Sequence, residues 1–290
     1  MRTLETVSAL REFADAERAA GRRLALVPTL GALHAGHLAL VAEARRRADR
    51  VVVSIFVNPT QFAPHEDLAS YPRDLAGDLE KCRAAGVDAV FAPEPVELYP
   101  AGAQTWVEVA ELSKPLCGAS RPHFFRGVAT VVAKLLIAAR PHVAIFGEKD
   151  YQQLLVVRRL ARDLLLDVEV VGAPLVRDAD GLALSSRNAY LDAAARREAS
   201  VLPRALDAAA AAVGEGERSA AALLERVRKE IARAPHAELE YAELRDAETL
   251  APVGTLRAPA LLALAVRLPV AGGRVRLIDN RVLRGEEAPR

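Results

Sequence analysis

Five short runs of apolar, largely β-branched residues punctuate the first two thirds of the chain: Leu24–Thr29, Val51–Val57, Val87–Ala92, His142–Phe146 and Val168–Val171. They read as continuous apolar stretches, without the strict alternation of a strand that keeps one face in water. Segments of helical period lie between them, near Leu38–Ala48, Asp74–Ala85, Val128–Ala139 and Tyr151–Leu164. Strands buried on both faces and separated by helices call for a parallel sheet covered on both sides. The pattern predicts an α/β fold: a doubly wound, Rossmann-like domain over residues 1–175, with ligands at the carboxyl ends of its strands.

The rhythm changes after about Val176. Two Ala-rich helical stretches, Ala193–Val213 and Ser219–Ala234, flank a turn at Gly214–Gly216. Strand-like runs follow at Glu238–Leu244, Ala260–Val266 and Arg274–Ile278. Consecutive strands after helices predict a smaller α+β domain over 176–290, with an antiparallel sheet packed on helices.

Composition narrows the function. The charge sum of 39 Lys+Arg against 38 Asp+Glu leaves +1, too flat for a chain built to neutralise nucleic-acid phosphates or anionic lipid. Two cysteines, Cys82 and Cys117, are too few and too far apart for a disulfide framework or a paired-cysteine metal site. They read as free thiols in a reducing compartment. No run reaches the ~18 apolar residues of a membrane span. The N-terminal segment lacks the apolar core of a signal peptide, and Arg290 after Gly-Glu-Glu-Ala-Pro fits no lipidation signal. The expectation is a soluble, cytoplasmic protein with neither nucleic-acid nor membrane partners.

The most informative stretch follows the first of these strands: Pro28-Thr29-Leu30-Gly31-Ala32-Leu33-His34-Ala35-Gly36-His37. A strand ends, a glycine turn follows, and a helix begins within the His-x-Gly-His segment. Free N–H groups and a positive dipole end at such a start suit a phosphate. Histidines three apart project from one face, and Gly36 lets a ligand approach the backbone. The same pair could be half a metal site or two structural caps, but no HExxH motif or nearby acidic or cysteine cluster completes a metal site. Neither GxxxxGK[ST] nor GxGxxG occurs, which removes the main support for a P-loop kinase or a dinucleotide-dependent oxidoreductase.

Other segments also sit where a parallel sheet places ligands. Val57-Asn58-Pro59-Thr60-Gln61-Phe62 brings two neutral amides to a strand end, suited to orienting a carboxylate or hydroxyl, or simply an Asn-Pro turn. Gly147-Glu148-Lys149-Asp150-Tyr151-Gln152-Gln153 sets Lys149 at a helix start, where a cation opposes the dipole and points to an anionic partner. Ser185-Ser186-Arg187 could clamp a polyphosphate, or could be a serine cap beside a surface arginine. Arg121-Pro122-His123-Phe124-Phe125-Arg126-Gly127-Val128 leads into a helix and is expected to form a loop over the site.

A His-x-Gly-His segment on a doubly wound sheet resembles the nucleotidyltransferase and class I aminoacyl-tRNA synthetase group, which attacks the ATP α-phosphate and forms adenylates. Combined with VNPTQF, GEKDYQQL and DGLALSSRN, it resembles the pantoate–β-alanine ligase (pantothenate synthetase) family, closely from Leu24 to Asn188 and more weakly beyond. Leu30 and Leu184 stand where that family usually has Met, volume-similar swaps. His123-Phe124 stands where it typically reads Gly-His.

The resemblance implies an AMP-forming ligase that condenses pantoate with β-alanine through pantoyl adenylate, using ATP and Mg²⁺, as a homodimer. It implies that Leu30, Gly31, Ala32, Leu33, His34, Ala35, Gly36 and His37 line ATP, with His34, His37 and Lys149 catalytic and His37 the proton donor. Gly147 and Asp150 would lie by the ribose, Glu148, Val176 and Leu184 by the nucleotide, and Asn58, Ser185, Ser186 and Arg187 by the phosphates. Gln61 and Gln153 would hold pantoate. Metal ligands are not identified; Asp78 is an outer-shell candidate for Mg²⁺, against the commoner case of a helix-surface aspartate. Two rivals stay open: an adenylyltransferase acting on a phosphorylated cofactor precursor, and a non-enzymatic RNA-binding relative of a synthetase. The latter is disfavoured by the flat charge and 4% aromatic content.

Overall fold

A computed structural model describes residues 1–63 and 66–285. Arg290 and the Glu-Glu-Ala-Pro before it, where a lipidation signal was sought, lie outside the described residues. The chain divides into two compact units, Met1–Leu175 and Val176–Arg290.

The first unit opens with β1 (Arg2–Leu4), α1 (Val7–Ala19), β2 (Leu24–Thr29), α2 (Ala35–Arg47) and β3 (Arg50–Ile55). It continues through α3 (Leu75–Ala84), β4 (Ala89–Phe91), the one-turn helices α4 (Pro95–Leu98) and α5 (Cys117–Ser120), and α6 (Phe124–Ala139). It ends with β5 (Val143–Gly147), α7 (Tyr151–Asp163) and β6 (Glu169–Ala173). The six strands form one parallel sheet in the order β1-β4-β3-β2-β5-β6.

Alternate residues of each central strand enter different cores, as the two-residue period of a strand requires. Leu24, Leu26, Val52, Ala144 and Phe146 pack with α1, α6 and α7. Ala25, Val27, Val51, Val53, Val143 and Ile145 pack with α2 and α3. This double coverage is why the strands are apolar throughout. From β2 the chain moves outward through β3 and β4, then reverses through β5 and β6. The reversal falls between β2 and β5, whose carboxyl ends carry the loops leading to His34 and Lys149. A doubly wound sheet opens its ligand crevice at such a point.

The sequence pattern leaves out β1 and α1. Three residues at a sheet edge are too short to show a period, and α1 buries only Leu10, Phe13 and Ala14.

The second unit contains α8 (Ala193–Ala199), α9 (Val201–Gly214), α10 (Ala220–Ile231), β7 (Glu238–Asp246), β8 (Ala260–Val270) and β9 (Gly273–Leu283). The strands form an antiparallel sheet, β7-β8-β9, sharing a core with Leu202, Leu206, Leu223 and Val227 of the helices. The single helix expected over Ala193–Val213 is two helices joined at Ser200. Pro203 has no N–H for the Ala199 carbonyl four residues earlier, and its ring would press on that carbonyl.

The start of α6 seats the turn after β3. A Cβ on Gly127 would meet the Thr60 carbonyl oxygen at 2.4 Å and the Gln61 nitrogen at 2.8 Å. Gly127→Ala should therefore lower stability by about 1–3 kcal/mol through overpacking, despite a helix-propensity gain of about 1 kcal/mol. Urea unfolding tests this; a variant more stable than wild type would show that the turn is not seated on α6.

Candidate active site

The loop from β2 to α2 bends through Gly31 at φ +85° and Ala32 at φ +50°. His34 then caps α2. Its Nδ1 accepts the Gly36 N–H at 3.2 Å, and His37 Nδ1 accepts the His34 N–H at 3.4 Å. The ring centroids lie 4.1 Å apart. With each Nδ1 an acceptor, the neutral rings carry their proton on Nε2. The pair thus caps the helix and keeps two N–H donors, so the capping and ligand-facing readings of the sequence are compatible.

Electrostatics keeps these rings neutral. Burial, then the Lys149 ammonium, push His34 down to about 4. Burial, then His34 and Lys149, push His37 down to about 3. Lys81 on α3 depresses both. The structure thus brings Lys149 together with the histidines and adds Lys81, which sequence reasoning missed. Its only signal was the i,i+3 spacing from Asp78 on a helix. Lys149 lies in a short turn before α7, 3.6 Å from Asp150. Gly147 ends β5, and Glu148 follows it in that turn.

Asp78, the outer-shell candidate for Mg²⁺, is buried, unlike the helix-surface aspartate that is its commoner alternative. Its Oδ2 accepts the Ala32 N–H at 2.8 Å and its Oδ1 the Leu33 N–H at 2.7 Å. Those two N–H groups are therefore engaged by the protein itself. The N–H groups of His34, Gly36 and His37 are engaged as well, by His37 Nδ1, His34 Nδ1 and the His34 carbonyl, so the donors this segment turns toward a phosphate are chiefly the imidazole Nε2 atoms.

The turn after β3 holds Asn58 and Gln61. Asn58 is 0% exposed. Its Nδ2 donates to Gln61 Oε1 at 3.1 Å and to the Gly127 carbonyl at 3.2 Å, while its Oδ1 accepts from Thr60. In this structure Asn58 orients Gln61 rather than facing a phosphate, since a fully buried amide presents nothing to a ligand. With Oε1 held, Gln61 has its Nε2 donors for a carboxylate or hydroxyl.

Arg121 donates to the Gln61 carbonyl at 3.1 Å, pairs with Glu66, and lies 4.0 Å from the Phe124 ring centroid. Phe124 already belongs to α6, so the expected loop is short and its aromatic residue covers an ion pair. Of the glutamines after Tyr151, Gln152 ties the Leu112 and Pro115 carbonyls and the Cys117 N–H to α7. Gln153 is half-buried in the first turn of α7.

The remaining candidates belong to the second unit. Arg177 forms a two-pronged ion pair with buried Asp279, at 2.6 and 2.9 Å, and donates to the Gly181 carbonyl. Arg196 pairs with Asp178 and Asp180. The Leu184 N–H reaches the Val176 carbonyl at 3.0 Å. Ser185 caps the turn Ser186–Tyr190, accepting the Arg187 N–H at 3.3 Å. The segment is thus held in a defined shape within its own unit.

The histidine shifts have a consequence for stability. In the unfolded chain an imidazole takes up a proton below about 6.5, whereas these stay neutral down to about 4 and 3. The unfolded state binds more protons in that window, so stability falls as pH drops from about 6.5 to about 4, by at most ~1.4 kcal/mol per pH unit for each histidine. Replacing both by Gln should flatten the urea midpoint across that window. An equally steep profile in the double variant would place the effect elsewhere.

Comparison with known proteins agrees with this geometry. The family profile described as Pantoate-beta-alanine ligase matches residues 2–282. A pantothenate synthetase of Myxococcus xanthus is 55% identical, covering 98% of this chain and 97% of the relative. One from Syntrophobacter fumaroxidans is 53% identical, covering 98% and 99%. The crystal structure of pantothenate synthetase from Thermus thermophilus superposes with a TM-score of 0.92 at 48% identity, covering 98% of this chain and all of that one. With the profile spanning both units and the paired histidines at the sheet's reversal point, the chain belongs to the pantoate–β-alanine ligase family.

Proposed function

We propose that the protein joins pantoate to β-alanine at the expense of ATP, in two steps. A pantoate carboxylate oxygen attacks the α-phosphorus, the bond to the bridging oxygen breaks, and pyrophosphate leaves. The β-alanine amine then attacks the acyl carbon of pantoyl adenylate and loses a proton, and AMP leaves as pantothenate forms. The observation that carries this reading is the pair of imidazoles that cap the start of α2 through Nδ1, 4.1 Å apart, with the charges of Lys149 and Lys81 acting on both. A structure of the Francisella tularensis ligase, 31% identical at a TM-score of 0.79, is described as complexed with beta-gamma ATP and beta-alanine. That supports the same substrates here.

The first step brings two anions together, so positive charge and fixed donors matter most. Lys149 offsets charge at the α-phosphate, while His34 and His37 donate from Nε2. A neutral imidazole stabilises the developing charge as a hydrogen-bond donor and need not surrender its proton. Gly31, Gly36 and the N-terminus of α2 lie against the phosphates. Gly147 and Asp150 are assigned to the ribose, and the backbone near Val176 to the adenine. Ser186 and Arg187, in the turn capped by Ser185, are assigned to the β- and γ-phosphates by the family motif. Gln61 and Gln153 hold pantoate so that its acyl carbon stays in place as pyrophosphate leaves.

Mg²⁺ would arrive with the nucleotide, bound by its phosphates and by water. Among the described residues, no group of three or more His, Cys, Asp or Glu could hold a metal ion. We place the enzyme in the cytoplasm as a homodimer, by the family resemblance; no helix among the described residues is long and apolar enough to cross a membrane.

Product analysis with ATP, Mg²⁺, pantoate and β-alanine tests the reading. AMP and pyrophosphate formed with pantothenate support it; ADP and phosphate contradict it. Adenylyl transfer to a phosphorylated cofactor precursor, with none to pantoate, selects the adenylyltransferase instead. Within this reading, His37→Ala should slow single-turnover adenylate formation by at least ~100-fold, as for one lost electrostatic donor. A near-normal rate would remove His37 from the chemistry.

A further inference from the structure

Asp78 is a charged group almost wholly withdrawn from water, at 1% exposure on α3. A lone buried carboxylate is costly, so its partners show what it does. Each oxygen accepts one backbone N–H, from Ala32 and Leu33, and Lys81 Nζ lies 3.6 Å from Oδ1. Two successive backbone N–H groups make a small anion-binding concavity. Here the chain's own carboxylate fills it, through hydrogen bonds strengthened by charge.

The residues so held immediately precede His34. Ala32 keeps φ +50°, a left-handed conformation that an L-residue adopts only where its surroundings impose it. Gly31 is fitted just as closely: a Cβ there would lie 3.1 Å from Asp78 Oδ2 and 3.1 Å from Ile55 Cγ2. The loop is therefore clamped between α3 and β3 one residue before the cap that orients both imidazoles.

We propose that Asp78 is a positioning residue for adenylate formation: it holds the Gly31–Leu33 loop so that His34, His37 and the first turn of α2 meet the nucleotide phosphates in register. This rests on the assignment of the paired histidines to ATP. Asp78 is also the outer-shell candidate for Mg²⁺; its two backbone hydrogen bonds give it this positioning work in their own right, and the Mg²⁺ dependence of its Asn variant separates the two roles.

Asp78→Asn tests it. An amide of the same shape keeps one acceptor but turns an NH₂ toward a backbone N–H, breaking half of the clamp. Pantoate-dependent exchange of labelled pyrophosphate into ATP is measured with melting temperature, the KM for pantoate and the Mg²⁺ concentration for half-maximal rate. The expected result is a folded protein whose kcat falls on the order of 100-fold, as for a small misplacement of reacting groups. The pantoate KM and the Mg²⁺ requirement should stay near wild type. A normal kcat in the folded variant would overturn the proposal. A defect cured by excess Mg²⁺ would also overturn it and make Asp78 a metal-binding residue.

Gly31→Ala provides a second route if Asp78→Asn does not fold. Its Cβ presses on the clamp without changing any charge, and the same loss of kcat at unchanged Mg²⁺ requirement is expected. Where both variants fold, the double variant should lose little more than either alone, since both break one linkage. Wild-type protein that shows no pantoate-dependent exchange would defeat the functional reading itself, whereas an active wild type with an active Asp78→Asn defeats only the positioning role.

Discussion

A helix cannot satisfy its first N–H groups from within, and at the start of α2 two imidazoles meet part of that need. His34 Nδ1 takes the Gly36 N–H, and His37 Nδ1 takes the His34 N–H. This cap fixes which nitrogen of each ring keeps the proton, and therefore which atom a ligand meets. Had Asp capped the helix, its N-terminus would be stable but the cap would meet a phosphate with an acceptor-only carboxylate in place of a donor. The histidines make one local interaction serve both folding and chemistry.

The surroundings divide the electrostatic work. Lys149 and Lys81 carry the positive charge, and with burial they keep both imidazoles from becoming cations. Neutral rings lend direction, and ammonium groups lend charge. The sheet topology makes the division possible, because Lys149 follows β5 and the histidines follow β2, the strands between which the chain reverses. Lys81 and Asp78 come from α3, on the face of the sheet that also carries α2.

The parallel sheet was legible because strands buried on both faces must be apolar throughout, as at Val51–Val53. The two-domain division was legible as a change of rhythm near Val176. Pro203 could have revealed the break in the Ala-rich segment, but helix propensity there was strong enough to hide it. At the candidate site, the residues easiest to find lay in short motifs at strand ends. Those missed act across the sequence. Lys81 acts on the histidines' charge from another helix, Asp78, found only as a metal candidate, holds the backbone of a distant loop, and Arg121 pairs with Glu66 and stacks on a phenylalanine that departs from the family pattern. Spacing along a chain cannot announce such contacts, because they depend on how helices are laid against the sheet.

The central claim is that His34 and His37 are neutral, with their protons on Nε2, when ATP arrives. Nitrogen NMR of imidazole-labelled protein, titrated from neutral to acid pH, measures this directly. The account predicts two rings with unprotonated Nδ1 and protonated Nε2 that remain neutral to about pH 4 for His34 and about pH 3 for His37. Rings protonated on both nitrogens near neutral pH, or carrying their single proton on Nδ1, would contradict it.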